Sequence, residues 1–245
     1  MILAEPDQNK WTLPRALDAR VLQSPDSPFV TMEWEGTQSF AQCRFAADAM
    51  ARVLHAEGVR SGHLVAVMAP NCLTAIHAWI ALNSLGAADV MLSTGYRGRP
   101  LEHALNLVGA ELLLVEERYL PVLREVEPRL EKLRRVICFR LPDSEQLPPP
   151  PEFERLELVP LAQLAQLAQS ALAEGADPPA RRGPRHTELA SIIFTSGTSG
   201  PAKGVMMPHA QAWMLAMQTV QGLRLTDQGI YYCFHPLFHT AGKVI

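Results

Sequence analysis

Residues 64–92 read LVAVMAPNCLTAIHAWIALNSLGAADVML. The first five, Leu64 to Met68, form a short continuous apolar run that Pro70-Asn71 interrupts. A run of that length bounded by breakers reads as a strand buried on both faces. Leu73 to Leu85 is long enough for a helix, and Gly86 stands at its end. Ala88 to Leu92 then reads as a second strand. A strand, a helix and a strand in so short a span make a βαβ unit, whose strands run parallel.

The same rhythm extends on both sides. Upstream, Ser39 is followed by Gln42 at capping-box spacing, and Cys43, Ala46, Ala47, Met50, Val53 and Leu54 recur at helical period. Gly58 is placed for a left-handed helix end, and Arg60-Ser61-Gly62 makes the turn into the first strand. Downstream, Pro100 opens a helix through Leu107 and Gly109 closes it. ELLLV (111–115) reads as a strand, Pro121 to Lys132 as a helix, and VICF (136–139) as another strand. Strands recur about every 24 residues with helices between them, which predicts an α/β fold with a parallel sheet flanked by helices. Residues 142–186 are rich in proline and read as an extended surface linker. Within them LAQLAQLAQ (161–169) predicts a short helix, more plainly structural than a partner helix. LASIIF (189–194) is again a buried strand.

The chain has 245 residues, 48% hydrophobic and 19% charged, with a net charge of −3. That composition excludes wholesale disorder. The weak charge offers no strong positive field for nucleic acid or an anionic membrane. No apolar run reaches the roughly 18 residues of a membrane helix, and acidic Glu5 and Asp7 do not suit a signal peptide. Cys43, Cys72, Cys138 and Cys233 lie far apart and read as ordinary reduced thiols rather than metal ligands or disulfides. The expected setting is cytoplasmic.

After LASIIF comes Thr195-Ser196-Gly197-Thr198-Ser199-Gly200-Pro201-Ala202-Lys203-Gly204. Glycines let a backbone approach a ligand, and successive N–H groups in such a turn converge on an anion. Hydroxyls add donors, and Lys203 adds a positive charge for phosphate oxygens. The P-loop of nucleoside triphosphatases does not fit. Counted from Gly197, Ala202 falls where that motif needs glycine, and Gly204 where it needs Ser or Thr. A flexible Gly/Ser linker fits poorly between two strand-like runs. Among the remaining polar candidates, His209 and His235 read as packed histidines, and Met206, Met207, Trp213, Met214 and Met217 read as core around a helix.

The string TSGTSGPAKG resembles the phosphate-loop signature of the adenylate-forming enzymes, the superfamily of acyl-CoA synthetases, luciferases and peptide-synthetase adenylation domains. Ala202 stands where that signature usually has proline. Residues 37–92 resemble the superfamily's N-terminal region, and TGYRGRPLEHALNLVGAELLLV (94–115) is similar to acyl-CoA synthetases, especially carnitine and crotonobetaine CoA ligases. PLFHTAG (236–242) resembles its Pro-Leu-aromatic-His-x-x-Gly segment.

The resemblance implies ATP-dependent activation of a small carboxylic acid as an acyl-adenylate, then transfer to CoA. Thr195, Ser196, Gly197, Thr198, Ser199, Gly200 and Lys203 are then expected to hold the β and γ phosphates, with Thr198 or Ser199 helping to seat magnesium. His239 is expected at the acyl pocket, beside Lys203 as a catalytic candidate, and a quaternary ammonium acid such as carnitine is the substrate suggested. Against the superfamily pattern the chain lacks the adenine and ribose motifs, the hinge and the C-terminal lid domain. It is therefore expected to be an N-terminal portion, incomplete at the C-terminus and inactive alone in carboxylate-dependent ATP–pyrophosphate exchange. The alternatives are a truncated phosphate- or partner-binding module, with a homodimer covering the exposed surface, and an adenylation domain that loads a carrier protein.

Overall fold

The computed structural model describes residues 7–142, 147–173, 183–195, 200–226 and 229–243. Helix α1 (Leu13–Gln23) precedes a small antiparallel hairpin of β1 (Pro28–Met32) and β2 (Gly36–Ser39). Helix α2 (Phe40–Ala56) starts at Ser39 with a complete capping box. Gln42 N–H donates to Ser39 Oγ at 3.3 Å, and Ser39 N–H to Gln42 Oε1 at 2.8 Å. Then follow β3 (Leu64–Met68), α3 (Leu73–Ser84), β4 (Ala88–Met91), α4 (Arg99–Val108), β5 (Leu112–Glu116), α5 (Leu120–Val126) and β6 (Arg135–Phe139). The chain continues through β7 (Glu157–Pro160), α6 (Leu161–Ala173), β8 (Leu189–Thr195), β9 (Lys203–Pro208), α7 (His209–Gly222) and the short α8 (Thr240–Lys243).

Seven strands form one sheet in the order β7-β6-β5-β3-β4-β8-β9. Every neighbouring pair is parallel except β8 and β9. Alternate residues of β3 serve opposite faces. Val65 and Val67 pack with α2, α3 and α6, whereas Ala66 and Met68 pack with α4 and α5. Both faces are covered, so the central strands are mostly apolar runs rather than alternating. The order reverses at β3, because the connection from β4 through α4 crosses to β5 on its other side. In open parallel sheets a ligand crevice forms at such a point, outside the carboxyl ends of the strands.

Three expectations need correction. Beyond the helix expected over 161–169, which forms as α6 and seats Leu164 in the core, residues 142–186 are not all linker: β7 extends the sheet beside β6. β7 escapes sequence reading because an edge strand is only half-buried and this one ends in proline. The helix expected over 121–132 stops at Val126 and passes into a 3-10 turn, Glu127–Arg129, at Pro128. The apolar group after the loop is not uniformly core. Met207 is buried against Ile193, but Met206 and Met214 are largely exposed.

The thiols of Cys43, Cys72 and Cys138 are buried and free, pushed up by burial to about 11, 12 and 11. Cys72 also caps α3, accepting from Ala75 N–H at 3.4 Å. Among the described residues no helix is long and apolar enough to cross a membrane.

Candidate active site

The glycine-rich stretch joins β8 to β9 at the carboxyl end of the parallel sheet. Ser196, Gly197, Thr198 and Ser199 lie outside the described residues. Its two roots are defined. Thr195 and Lys203 face each other across the β8–β9 ladder, and Thr195 Oγ1 reaches the Lys203 carbonyl at 3.5 Å. Lys203 is exposed and makes no salt bridge with a described carboxylate, so its ammonium is available to an anion. Gly200 has open space where a Cβ would stand. Gly204 does not: a Cβ there would meet Ile192 Cγ2 at 2.9 Å, so a side chain would push β9 off β8.

Two neighbours brace these roots. The Nε2–H of His103, on α4, donates to the Ala202 carbonyl at 2.9 Å, since a carbonyl only accepts. Tyr96, in the loop after β4, meets Phe194 edge to face with ring centres 6.3 Å apart. Thus the 94–98 segment and α4 both pack against the phosphate-loop candidate. Neither contact was legible in the sequence, because His103 and Ala202 lie 99 residues apart.

His239 reaches the same edge of the sheet by a different route. Asn71 follows β3, whose carboxyl end lies on the same side as that of β8. Its amide Nδ2 donates to the His235 carbonyl at 2.9 Å, and its Oδ1 accepts from Leu237 N–H at 2.8 Å. One side chain therefore clamps the 235–237 backbone. His239 N–H donates to the Pro236 carbonyl and Gly242 N–H to the His239 carbonyl, closing a compact turn. A Cβ at Gly242 would collide with the carbonyl oxygens of Pro236 and His235, which is why glycine stands there. The His239 ring is exposed, and its Nδ1 accepts from Ala241 N–H at 3.2 Å. In the neutral ring that leaves the proton on Nε2, a donor suited to a carboxylate.

Of the two histidines read as packed, His209 is packed and His235 only half so. His209 is buried, and desolvation pushes it down to about 4 against the opposing pull of Glu188. His235 is half-buried: its ring lies tilted beside exposed Phe234 with centres 4.1 Å apart and stacked 6.2 Å from the His239 ring, and its carbonyl is tied to Asn71. A buried ion pair unread in the sequence also ends here. Lys243 of α8 bonds Asp89 of β4. The signal for it was a lone aspartate inside the apolar run Ala87 to Leu92.

Residues 17–245 match the AMP-binding enzyme family. Among curated relatives, the chain is 30% identical over 236 residues to a methyl-dioxo-octahydro-indenyl propanoyl:CoA ligase of Mycobacterium tuberculosis, covering 94% of this chain and 43% of that one. It is 26% identical over 218 residues to the medium-chain fatty-acid CoA ligase of Escherichia coli, covering 89% and 36%. The chain thus spans less than half the length of these relatives. Among solved structures it superposes on o-succinylbenzoate CoA synthetase of Bacillus subtilis, bound to its acyl-adenylate intermediate. The TM-score is 0.69 at 23% identity, covering 92% of this chain and 50% of that one.

Proposed function

Because the chain belongs to the AMP-binding enzyme family, we propose that it is the N-terminal portion of an ATP-dependent carboxylate-activating ligase, holding the pyrophosphate end of ATP and the entrance to the acyl pocket. In the reaction of the complete enzyme, a carboxylate oxygen attacks the α-phosphorus. The bond to the β-phosphate oxygen breaks and pyrophosphate leaves. The CoA thiol, losing its proton, then attacks the acyl carbon and AMP leaves as the thioester forms.

The main obstacle to the first step is charge, since an anion approaches a polyanion. The observation that carries the reading is that the Lys203 and His239 segments lie at the same end of the sheet, outside the carboxyl ends of its parallel strands. Lys203, exposed and without a described acidic partner, suits the oxygens of the leaving pyrophosphate. Thr195, Ser196, Gly197, Thr198, Ser199 and Gly200 supply hydroxyl and backbone donors to the same group. Magnesium would supply charge neutralisation there when bound, with Thr198 or Ser199 as its hydroxyl contact. His239, with Nε2–H as donor, orients the incoming carboxylate.

Isothermal titration of the purified chain with pyrophosphate and with ATP tests this reading. Lys203→Ala is expected to weaken both by about tenfold, the loss of one charge-assisted contact, with the melting temperature unchanged because the side chain is exposed. Equal affinity in wild type and variant removes Lys203 from the phosphate site.

A further inference from the structure

Asp89 is fully buried in β4, between Ala88 and Val90. An isolated carboxylate there would be strongly disfavoured, so its partners matter. Its Oδ1 accepts from Ser191 Oγ of β8 at 2.8 Å, and its Oδ2 pairs with Lys243 Nζ of α8. The Lys243 side chain is itself only 1% exposed, and Nζ sits 4.9 Å from the centre of the Trp79 ring on α3. One carboxylate therefore joins three elements that meet nowhere near each other in the sequence.

The partners have a specific relation to the candidate site. Ser191 lies on the strand that ends at Thr195, where the phosphate loop begins. Lys243 is the last residue of α8, the short helix that directly follows His239. Asn71 holds the front of the His239 segment by its backbone, and Asp89 holds its rear by charge.

We propose that Asp89 is a positioning residue: through Ser191 and Lys243 it sets the spacing between the phosphate-loop strand and the His239 segment. This rests on reading those two segments as the phosphate and acyl sites. A pair that served stability alone would be replaceable by apolar side chains of similar size, since such exchanges are often neutral or stabilising. A positioning pair would not, because apolar side chains carry no directional bond.

The test uses the 245-residue chain with Lys243→Met, Asp89→Asn and the double variant Asp89→Leu/Lys243→Met. In wild type, an amine-acylating reagent should label Lys243 about tenfold or more slowly than exposed Lys203, as native burial requires. Asp89→Asn should remove that protection, and Lys243→Met should speed amide exchange across 235–243 by about tenfold or more. The double variant should recover the wild-type melting temperature but keep the fast exchange and a displaced His239 ring resonance. If the double variant recovers melting, exchange and resonance together, the positioning role is overturned. Equal labelling of Lys243 and Lys203 in wild type overturns the buried pair itself. Should Asp89→Asn not fold, the other two variants carry the comparison. None of these readouts uses nucleotide or acid, so absent pyrophosphate binding would count against the proposed function and leave this result standing.

Discussion

Asn71 does at the residue scale what no other described side chain does: it satisfies a carbonyl and an N–H of a segment more than 160 residues away. Both bonds are to backbone, so the clamp depends on the amide having a donor and an acceptor at once. Asn71→Ala removes both and leaves the 235–237 segment held by its own turn, the packing of Leu237 and Phe238, and the Lys243–Asp89 pair behind it. The expected cost is about 1–3 kcal/mol, confined to that segment. It should appear as faster amide exchange in 235–243 with little change in exchange across β3 to β6. The Pro-Asn pair was visible in the sequence as a breaker, but its bonding partner was not. Local patterns report backbone geometry, whereas a clamp of this kind is created by the crossover that brings β3 and the 235–237 segment to one edge.

At the scale of elements, the sequence showed most plainly what is buried on two sides. The limits of β3 agree with its apolar run, and the Ser39–Gln42 cap marks the start of α2 to the residue. Lys203 was singled out by the glycine- and hydroxyl-rich string around it, whereas His239 was singled out by the resemblance of PLFHTAG to a family segment. The edge strand β7 was not, because half-exposed positions leave no periodic signature. Its place is fixed from outside by Glu127. That carboxylate accepts from Arg155 N–H at 2.7 Å and Leu156 N–H at 3.0 Å, just before β7, and pairs with Arg124 at 2.9 Å.

Burial of Glu127 raises its pKa, but these backbone donors and Arg124 outweigh it and hold the carboxyl below the usual value. A depressed carboxyl contributes stability that is present above its unfolded value, about 4.3, and lost as pH falls through the folded value. Proteolysis within 147–160 should therefore accelerate below about pH 4. Glu127→Gln should make that segment susceptible already at pH 7, with the acid-induced change largely gone.

For the molecule as a whole, two desolvated histidines, one buried and one half-buried, contribute to the response to mild acid. Desolvation pushes His77 and His209 each down to about 4. His77 Nε2 is bonded to Gln38 Oε1 at 2.8 Å, while His209 is the buried first residue of α7. Both are neutral in the folded chain and protonate more readily when unfolded. Stability should thus be flat above about pH 6.5 and decline as pH falls toward 4, on the order of 1–3 kcal/mol from each group. Thermal melts between pH 7 and pH 4 measure that decline, and His209→Phe should remove part of it. A melting temperature constant over this range would show that the two rings are hydrated rather than buried.

The pairing of β4 with β8 also has a consequence in time. Asp89 and Ser191 are 102 residues apart, yet they sit side by side in the sheet. At about 5–20 residues per second, a ribosome needs roughly 5–20 s to deliver the second strand after the first. Until then β4 is the open rim of a nascent sheet formed by β3, β5 and β6. Open rims attract stray strands, and a charged side chain pointing inward from one discourages them. The carboxylate that later anchors Lys243 is thus already in place on the growing chain, guarding the vacancy it will help to fill.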